Sequence, residues 1–222
     1  MFDAVTTVLA AVSVAAAPTP RTPGPARPGH PAAAPVAASR DRAVSPADLK
    51  AAMRKLWEDH VTWTRLYIVS AVAGLPDAGP TAQRLLQNQV DIGDAIKPFY
   101  GDAAGARLTG LLRSHILTAA DLITAAKAGN DAGVREASSR WYANADSIAD
   151  FLSGANPANW PAATMRANMK HHLDLTLQEA QARLKGDWAA DIAAYDAIHT
   201  HILQLADVLC AGIVAQFPDR VR

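Results

Sequence analysis

One unit is written three times along this chain, and a threefold internal repeat limits the fold more sharply than any single motif. Leu56-Trp57-Glu58-Asp59-His60-Val61 aligns with Leu111-Leu112-Arg113-Ser114-His115-Ile116 and with Met169-Lys170-His171-His172-Leu173. A glycine follows each shared histidine by 14 residues, at Gly74, Gly129 and Gly186. Beyond each glycine lies a second segment: Arg84-Leu85-Leu86-Gln87-Asn88, Arg140-Trp141-Tyr142-Ala143-Asn144 and Ala197-Ile198-His199-Thr200-His201. Six residues further on, each segment reaches an aspartate, at Asp94, Asp150 and Asp207. A repeat of this length is one supersecondary unit whose apolar face is buried only by its neighbours.

The unit reads as a helical hairpin. Met53, Leu56, Trp57, His60, Thr64, Tyr67 and Ala71 recur at three- and four-residue steps, as one face of a helix requires. Leu108, Leu111, Leu112, His115, Ala119, Leu122 and Ala126 repeat the pattern, as do Met165, Met169, His172, Thr176, Ala180 and Leu184. No segment sustains the period-two alternation of a strand. Ser45-Pro46, Asn130 and Asp187 are placed to cap helices, and the three glycines to end them. Lys97-Pro98 and Asn156-Pro157 break the chain between hairpins. The expectation is an all-α, six-helix bundle of three repeated antiparallel hairpins, with helices near 46–73, 80–97, 103–128, 131–154, 161–185 and 187–216.

Composition divides the chain into three parts. Residues 18–44 hold 7 of the 14 prolines and almost no large apolar side chain, which predicts a disordered Pro/Ala linker. The helical domain then covers 45–218, enough chain for one sizeable core. Residues 1–17 contain the apolar run Val5 to Ala17, too short to span a bilayer but of the length of a secretory signal, with small residues at its end. Met1-Phe2-Asp3 lacks the basic residue usual at the start of such a signal. Signal followed by spacer is a coherent layout for a secreted or cell-envelope protein. From Ser45 onward there are 17 basic and 19 acidic residues, a net of −2, so the basic footprint of a nucleic-acid binder is missing. The lone Cys210 excludes an intrachain disulfide and sits on an apolar stripe as a small hydrophobe.

Residues equally far from a hairpin turn stand at the same height. This levels His60 with Asn88, His115 with Asn144 and His172 with His201, and it brings Arg54 toward Asp94 and Arg166 toward Asp207. A polar layer of this kind inside a bundle is either a hydrogen-bonded layer that fixes register or a ligand set. His60, His115, His172 and His201 are the candidate metal ligands, for a metal ion or haem. Against that use, no Glu-x-x-His, His-Glu-x-x-His or Cys-x-x-Cys spacing is present. His199 and His201 point about 200° apart on a helix and cannot chelate together. Glu58 and Asp59 face away from His60, and Trp57, Trp63, Trp141, Trp160 and Trp188 read as core.

Leu56-Trp57-Glu58-Asp59-His60-Val61-Thr62-Trp63-Thr64-Arg65, Arg140 to Asp146, and Ala206-Asp207-Val208-Leu209 through Gln216-Phe217-Pro218 resemble a family of bacterial, secreted, all-helical proteins with no assigned activity. That resemblance implies one domain starting near Ser45 and brings no chemistry with it. No phosphate loop, nucleophile elbow or other catalytic template occurs. The expectation is a non-enzymatic exported module that binds a small molecule or a protein partner, with no cofactor. A metal- or haem-binding bundle is the alternative.

Overall fold

The computed structural model describes residues 44–222, so the signal-like segment and all of the spacer except Val44 lie outside the described residues. Six helices follow in order: α1 Pro46–Ala73, α2 Ala78–Tyr100, α3 Asp102–Lys127, α4 Asp131–Ala155, α5 Ala162–Lys185 and α6 Trp188–Gln216. No strand occurs among the described residues, and one isolated bridge joins Val44 to Val221.

The ends of the helices follow the chemistry of the sequence. Ser45 Oγ accepts from the Asp48 N–H at 3.1 Å with Pro46 at the first helical position. Asn130 and Asp187 do the same for Gly133 and Ala190 at 3.0 and 3.1 Å. Gly74, Gly129 and Gly186 at the three hairpin turns have φ of 68°, 67° and 73°, a left-handed backbone that a side chain would strain. At Pro98 the outcome differs from expectation, because α2 runs through it to Tyr100. Proline's missing N–H frees a single carbonyl, that of Asp94, within the last two turns of the helix. Gly101 N–H then closes on Lys97 O at 2.9 Å, and Arg220 donates to the Pro98 carbonyl at 2.7 Å.

Each helix packs on its neighbours in sequence, and α6 closes the ring against α1, which also touches α3 and α5. Successive helices are antiparallel, so α1, α3 and α5 run one way and α2, α4 and α6 the other. The main core takes residues from all six, including Trp57, Leu112, Ile148, Leu173 and Ile202. A smaller cluster of Ile68, Ile123 and Ala180 fills the end nearest the hairpin turns. Helix α6 is long and apolar enough to cross a membrane by length and composition alone. Here about half of that apolar stretch is buried in the core, with Ile198, Ile202, Leu205, Leu209 and Ile213 all enclosed.

The break between α4 and α5 is a plug. Asn156 is buried and donates to Gly212 O at 2.9 Å, and the Trp160 indole lies against Gly212, whose missing side chain makes room for it. Trp57, Trp141 and Trp160 are core, as their spacing predicts, and Trp63 lies half-buried beneath Arg84. Trp188 is not. It is 56% exposed in the first turn of α6 and is stacked by the Arg183 guanidinium at 4.7 Å.

Candidate functional site

Because α1, α3 and α5 are parallel, their histidines arrive at one level near the bundle axis. His60 and His172 have ring centroids 5.8 Å apart, and His115 and His172 6.2 Å. His201 of α6 extends the row, 6.1 Å from His172. Trp57 caps the row edge-on beside His60 at 5.8 Å, and Trp141 lies against His115 at 5.3 Å. With Asn88 and Gln89 of α2 fully buried, all six helices contribute to the layer.

The returning helix of each hairpin makes the same bond. Asn88 Nδ2 donates to Leu56 O at 3.0 Å and Asn144 Nδ2 to Leu111 O at 3.1 Å, while His201 Nε2 lies 3.2 Å from Asn168 O. In each case the acceptor belongs to the residue four before the hairpin's histidine. That carbonyl already accepts within its helix and uses its second lone pair here. Asn144 Oδ1 is then the acceptor facing His115 Nδ1 at 3.2 Å, so this imidazole carries its proton on Nδ1. Thr64, Thr118 and Thr176 donate back to the carbonyls of His60, His115 and His172.

Other polar atoms of the layer have no protein partner. Trp57 Nε1, His60 Nδ1, Gln89 Oε1, Trp141 Nε1 and His172 Nδ1 are all buried without a hydrogen bond. Gln89 spends its amide nitrogen on Leu85 O and Asn88 Oδ1, which leaves its oxygen over. One turn from the histidines, a cavity of about 20 Å³ is lined by Thr64, Ala119, Trp141 and Thr176, and on its far side by Ile68 and Ile123. It therefore lies between the histidine layer and the small apical cluster.

Burial sets the charge state of the layer. It pushes His60 down to about 4, although the Gln89 and Asn88 amides, close by but without a formed hydrogen bond to the ring, favour the charged form. His115 falls to about 3, through burial first and the neighbouring His60 second. Burial, then repulsion from His60, His115, His201 and His171, holds His172 well below its ordinary range. His201 is lowered by burial and by His171. At neutral pH the layer is a set of uncharged imidazoles.

The structure thus brings His60, His115 and His201 each beside His172. Among the described residues, however, no three His, Cys, Asp or Glu side chains are placed to hold a metal ion. His172 is inclined by only 29° to His115 and 23° to His201, so these rings lie face to face and their nitrogens do not converge. As placed, these rings do not bring three nitrogens to one metal ion.

The two expected ion pairs are replaced by others. Arg54 pairs with Asp207 of α6 through two bonds of 2.7 Å, Arg166 pairs with Asp150 of α4, and Asp94 pairs with Lys97. Equal height holds across both flanks of a helix in a closed ring. Arg54 and Arg166 face the preceding hairpin, so these pairs join hairpins rather than close them. Glu58 and Asp59 do face away from the core, toward His199 and Lys55.

A second polar group is built on α1, α5 and α6. Arg65 donates to Glu179 at 2.7 Å and to Asp191 at 2.8 Å, and Arg183 donates to Asp191 at 3.1 Å. Both carboxylates are buried. Desolvation lifts Glu179 to about 7 against the pull of Arg65. Glu179 sits seven residues past His172, on the same apolar stripe, and that position was the signal available in the sequence. Gln89 and the two indole nitrogens gave no such signal, because Gln and Trp also read as ordinary helix residues.

His115→Ala removes the donor to Asn144 Oδ1 and opens a space beside Trp141. Thermal or urea unfolding should register a loss of roughly 1–3 kcal/mol. Comparison of the chain with protein-family models, with curated proteins and with solved structures finds no match.

Proposed function

We propose that the protein is a non-enzymatic helical binding module, built from three copies of one hairpin, that holds a small uncharged molecule at its interior histidine–tryptophan layer. The observation that carries this reading is the set of five buried polar atoms without protein partners in one layer. A buried donor or acceptor left unsatisfied costs about 1–3 kcal/mol. Five in one place is more than a purely structural layer requires, when an apolar substitution would remove each cost. The set mixes indole N–H donors, a Gln carbonyl and neutral imidazoles; the one cationic atom also left without a hydrogen bond, Arg84 Nη1, lies one turn before Asn88 and faces Asp91 at 3.5 Å. Such a set matches an uncharged partner able both to donate and to accept. No nucleophile is paired with a base there, which favours binding over catalysis.

Support for the hairpin copies comes from the recurring bond to the carbonyl four residues before each histidine. The same proposal takes 45–218 as the binding domain, 18–44 as a Pro/Ala spacer and 1–17 as an export signal. Protein from its native host should then begin near Pro18 and be found outside the cytoplasm, by N-terminal sequencing of the extracellular or envelope fraction. A cytoplasmic protein with Met1 intact would remove the export part.

The test of binding is native mass spectrometry on protein purified at neutral pH, with metal analysis alongside. The expected result is a mass above that of the chain, lost on denaturation, without stoichiometric metal. A mass equal to the bare chain, with only water at the layer in a high-resolution crystal structure, would overturn the reading. Near-stoichiometric metal would overturn it in favour of the metal alternative.

A further inference from the structure

We infer that the seam between α1 and α6 is the gate of the bundle, the one interface that parts to admit a molecule to the histidine layer. The inference rests on the proposed interior site for its purpose, but the seam can be tested without any ligand. In its closed form the cavity beside the layer offers about 20 Å³, room for a water-sized occupant only. Anything larger enters by separating helices.

Five of the six neighbouring pairs in the ring are joined by a short connection, from Gly101 alone to the loop between Ala155 and Ala162. The α1–α6 pair has no connection and is closed by side chains. Above the shared apolar core, a row of polar pairs runs along the seam. Asp207 takes Lys50 at 3.2 Å and Arg54 at 2.7 Å, Glu58 faces His199 at 2.9 Å, and Thr62 faces Tyr195 at 3.3 Å. Arg65 then reaches Asp191 at the far end. The pairs at Asp207 and Glu58 are exposed and hold helices together by about 0–1 kcal/mol each, whereas Asp191 is buried and its pair with Arg65 is the firmer closure. The α2–α3 seam is closed differently, with backbone packed on backbone at Gly93 and Gly105.

Two clips mark the ends of the seam. At one end Val44, just before α1, exchanges backbone bonds with the tail after α6: Val44 N–H to Arg220 O at 3.2 Å and Arg222 N–H to Val44 O at 3.0 Å. Val221 between them is buried. At the other end stands the Arg65, Glu179, Asp191 and Arg183 cluster, which has no counterpart in the other two hairpins. His60 and His201 lie on the two helices that the seam joins, so parting α1 from α6 exposes the layer directly.

Hydrogen exchange read by mass spectrometry on the intact chain tests this. In low denaturant, amides of α1 and α6 should exchange through a shared opening about tenfold more often than those of α3 and α4. Val221→Asp, which puts a charge into the buried clip, should speed exchange in α1 and α6 and leave α3 and α4 unchanged. Exchange of all six helices at one rate, or first opening at the α2–α3 or α4–α5 seam, would overturn the inference. Should the variant not fold, the wild-type profile alone decides. Because no ligand is added, failure of the binding reading leaves this result standing, and a uniform exchange profile leaves the binding reading standing.

Discussion

Acid should unfold this bundle, with the midpoint between about pH 4 and 5 set by the histidine layer rather than by surface carboxylates. An exposed histidine in the unfolded chain takes a proton near pH 6.5. His60 in the folded chain resists protonation down to about 4 and His115 down to about 3. Between those values the unfolded state binds more protons, so stability rises with pH through this window and is lost as pH falls. Protons would draw off about 3 kcal/mol through His60 and about 5 kcal/mol through His115 by pH 3. His172 and His201 shift in the same direction.

Glu179 acts the other way. Its folded value is raised to about 7, so its contribution is present in acid and lost as pH rises through neutrality. One carboxyl is worth about 3 kcal/mol by the same conversion, less than the histidines together. The histidines win, and their total is comparable with the 5–15 kcal/mol stability of an ordinary domain. Circular dichroism against pH gives the midpoint. His172→Leu removes the most central imidazole, and the midpoint should move to lower pH. A wild-type midpoint below pH 3, or one indifferent to that substitution, would show that the layer does not control acid stability.

How far this site could be read in advance depends on the kind of interaction. The level of His60, His115 and His172 follows from helix periodicity and hairpin counting alone, because distance from a turn fixes height. The pairing of Asn144 with His115 follows from the same rule. Counting fails where a residue has two neighbours at the same height. Arg54 stands level with Asp94 and with Asp207, and only the closure of the ring, made by contacts distant in sequence, selects Asp207. Trp188 departs from its expected core position for a related reason. Its spacing fits the outer edge of the apolar stripe on α6, but its neighbour there is an arginine side chain and solvent. The orphaned polar atoms are the least legible of all, since whether Gln89 Oε1 or Trp141 Nε1 finds a partner depends on ångström-scale side-chain placement.

Two glycines on neighbouring helices should respond to the same substitution with opposite signs. Gly93 on α2 and Gly105 on α3 face each other at the α2–α3 crossing. A Cβ on Gly93 would stand 2.7 Å from the Gly105 carbonyl oxygen, and a Cβ on Gly105 would stand 2.6 Å from that of Gly93. A clash with a flexible side chain is relieved by rotation, but a carbonyl oxygen moves only with its helix. Gly93→Ala must therefore push α2 from α3 and loosen Ile92, Ile96 and Leu108 in the core. Gly110, also on α3, has nothing within 4 Å of where its Cβ would be. Alanine improves helix propensity by about 1 kcal/mol at either position. At Gly110 that gain stands alone, and Gly110→Ala should stabilise by about 0.5–1 kcal/mol. At Gly93 the separation of two packed backbones opposes it, and overpacking of this kind costs about 1–3 kcal/mol or more. The difference between the two variants in urea unfolding, with propensity cancelled, should thus be the overpacking cost itself, about 1–3 kcal/mol or more. Equal stability of the two would mean that α2 and α3 do not approach through these glycines, and the backbone-on-backbone closure of that seam would have to be given up.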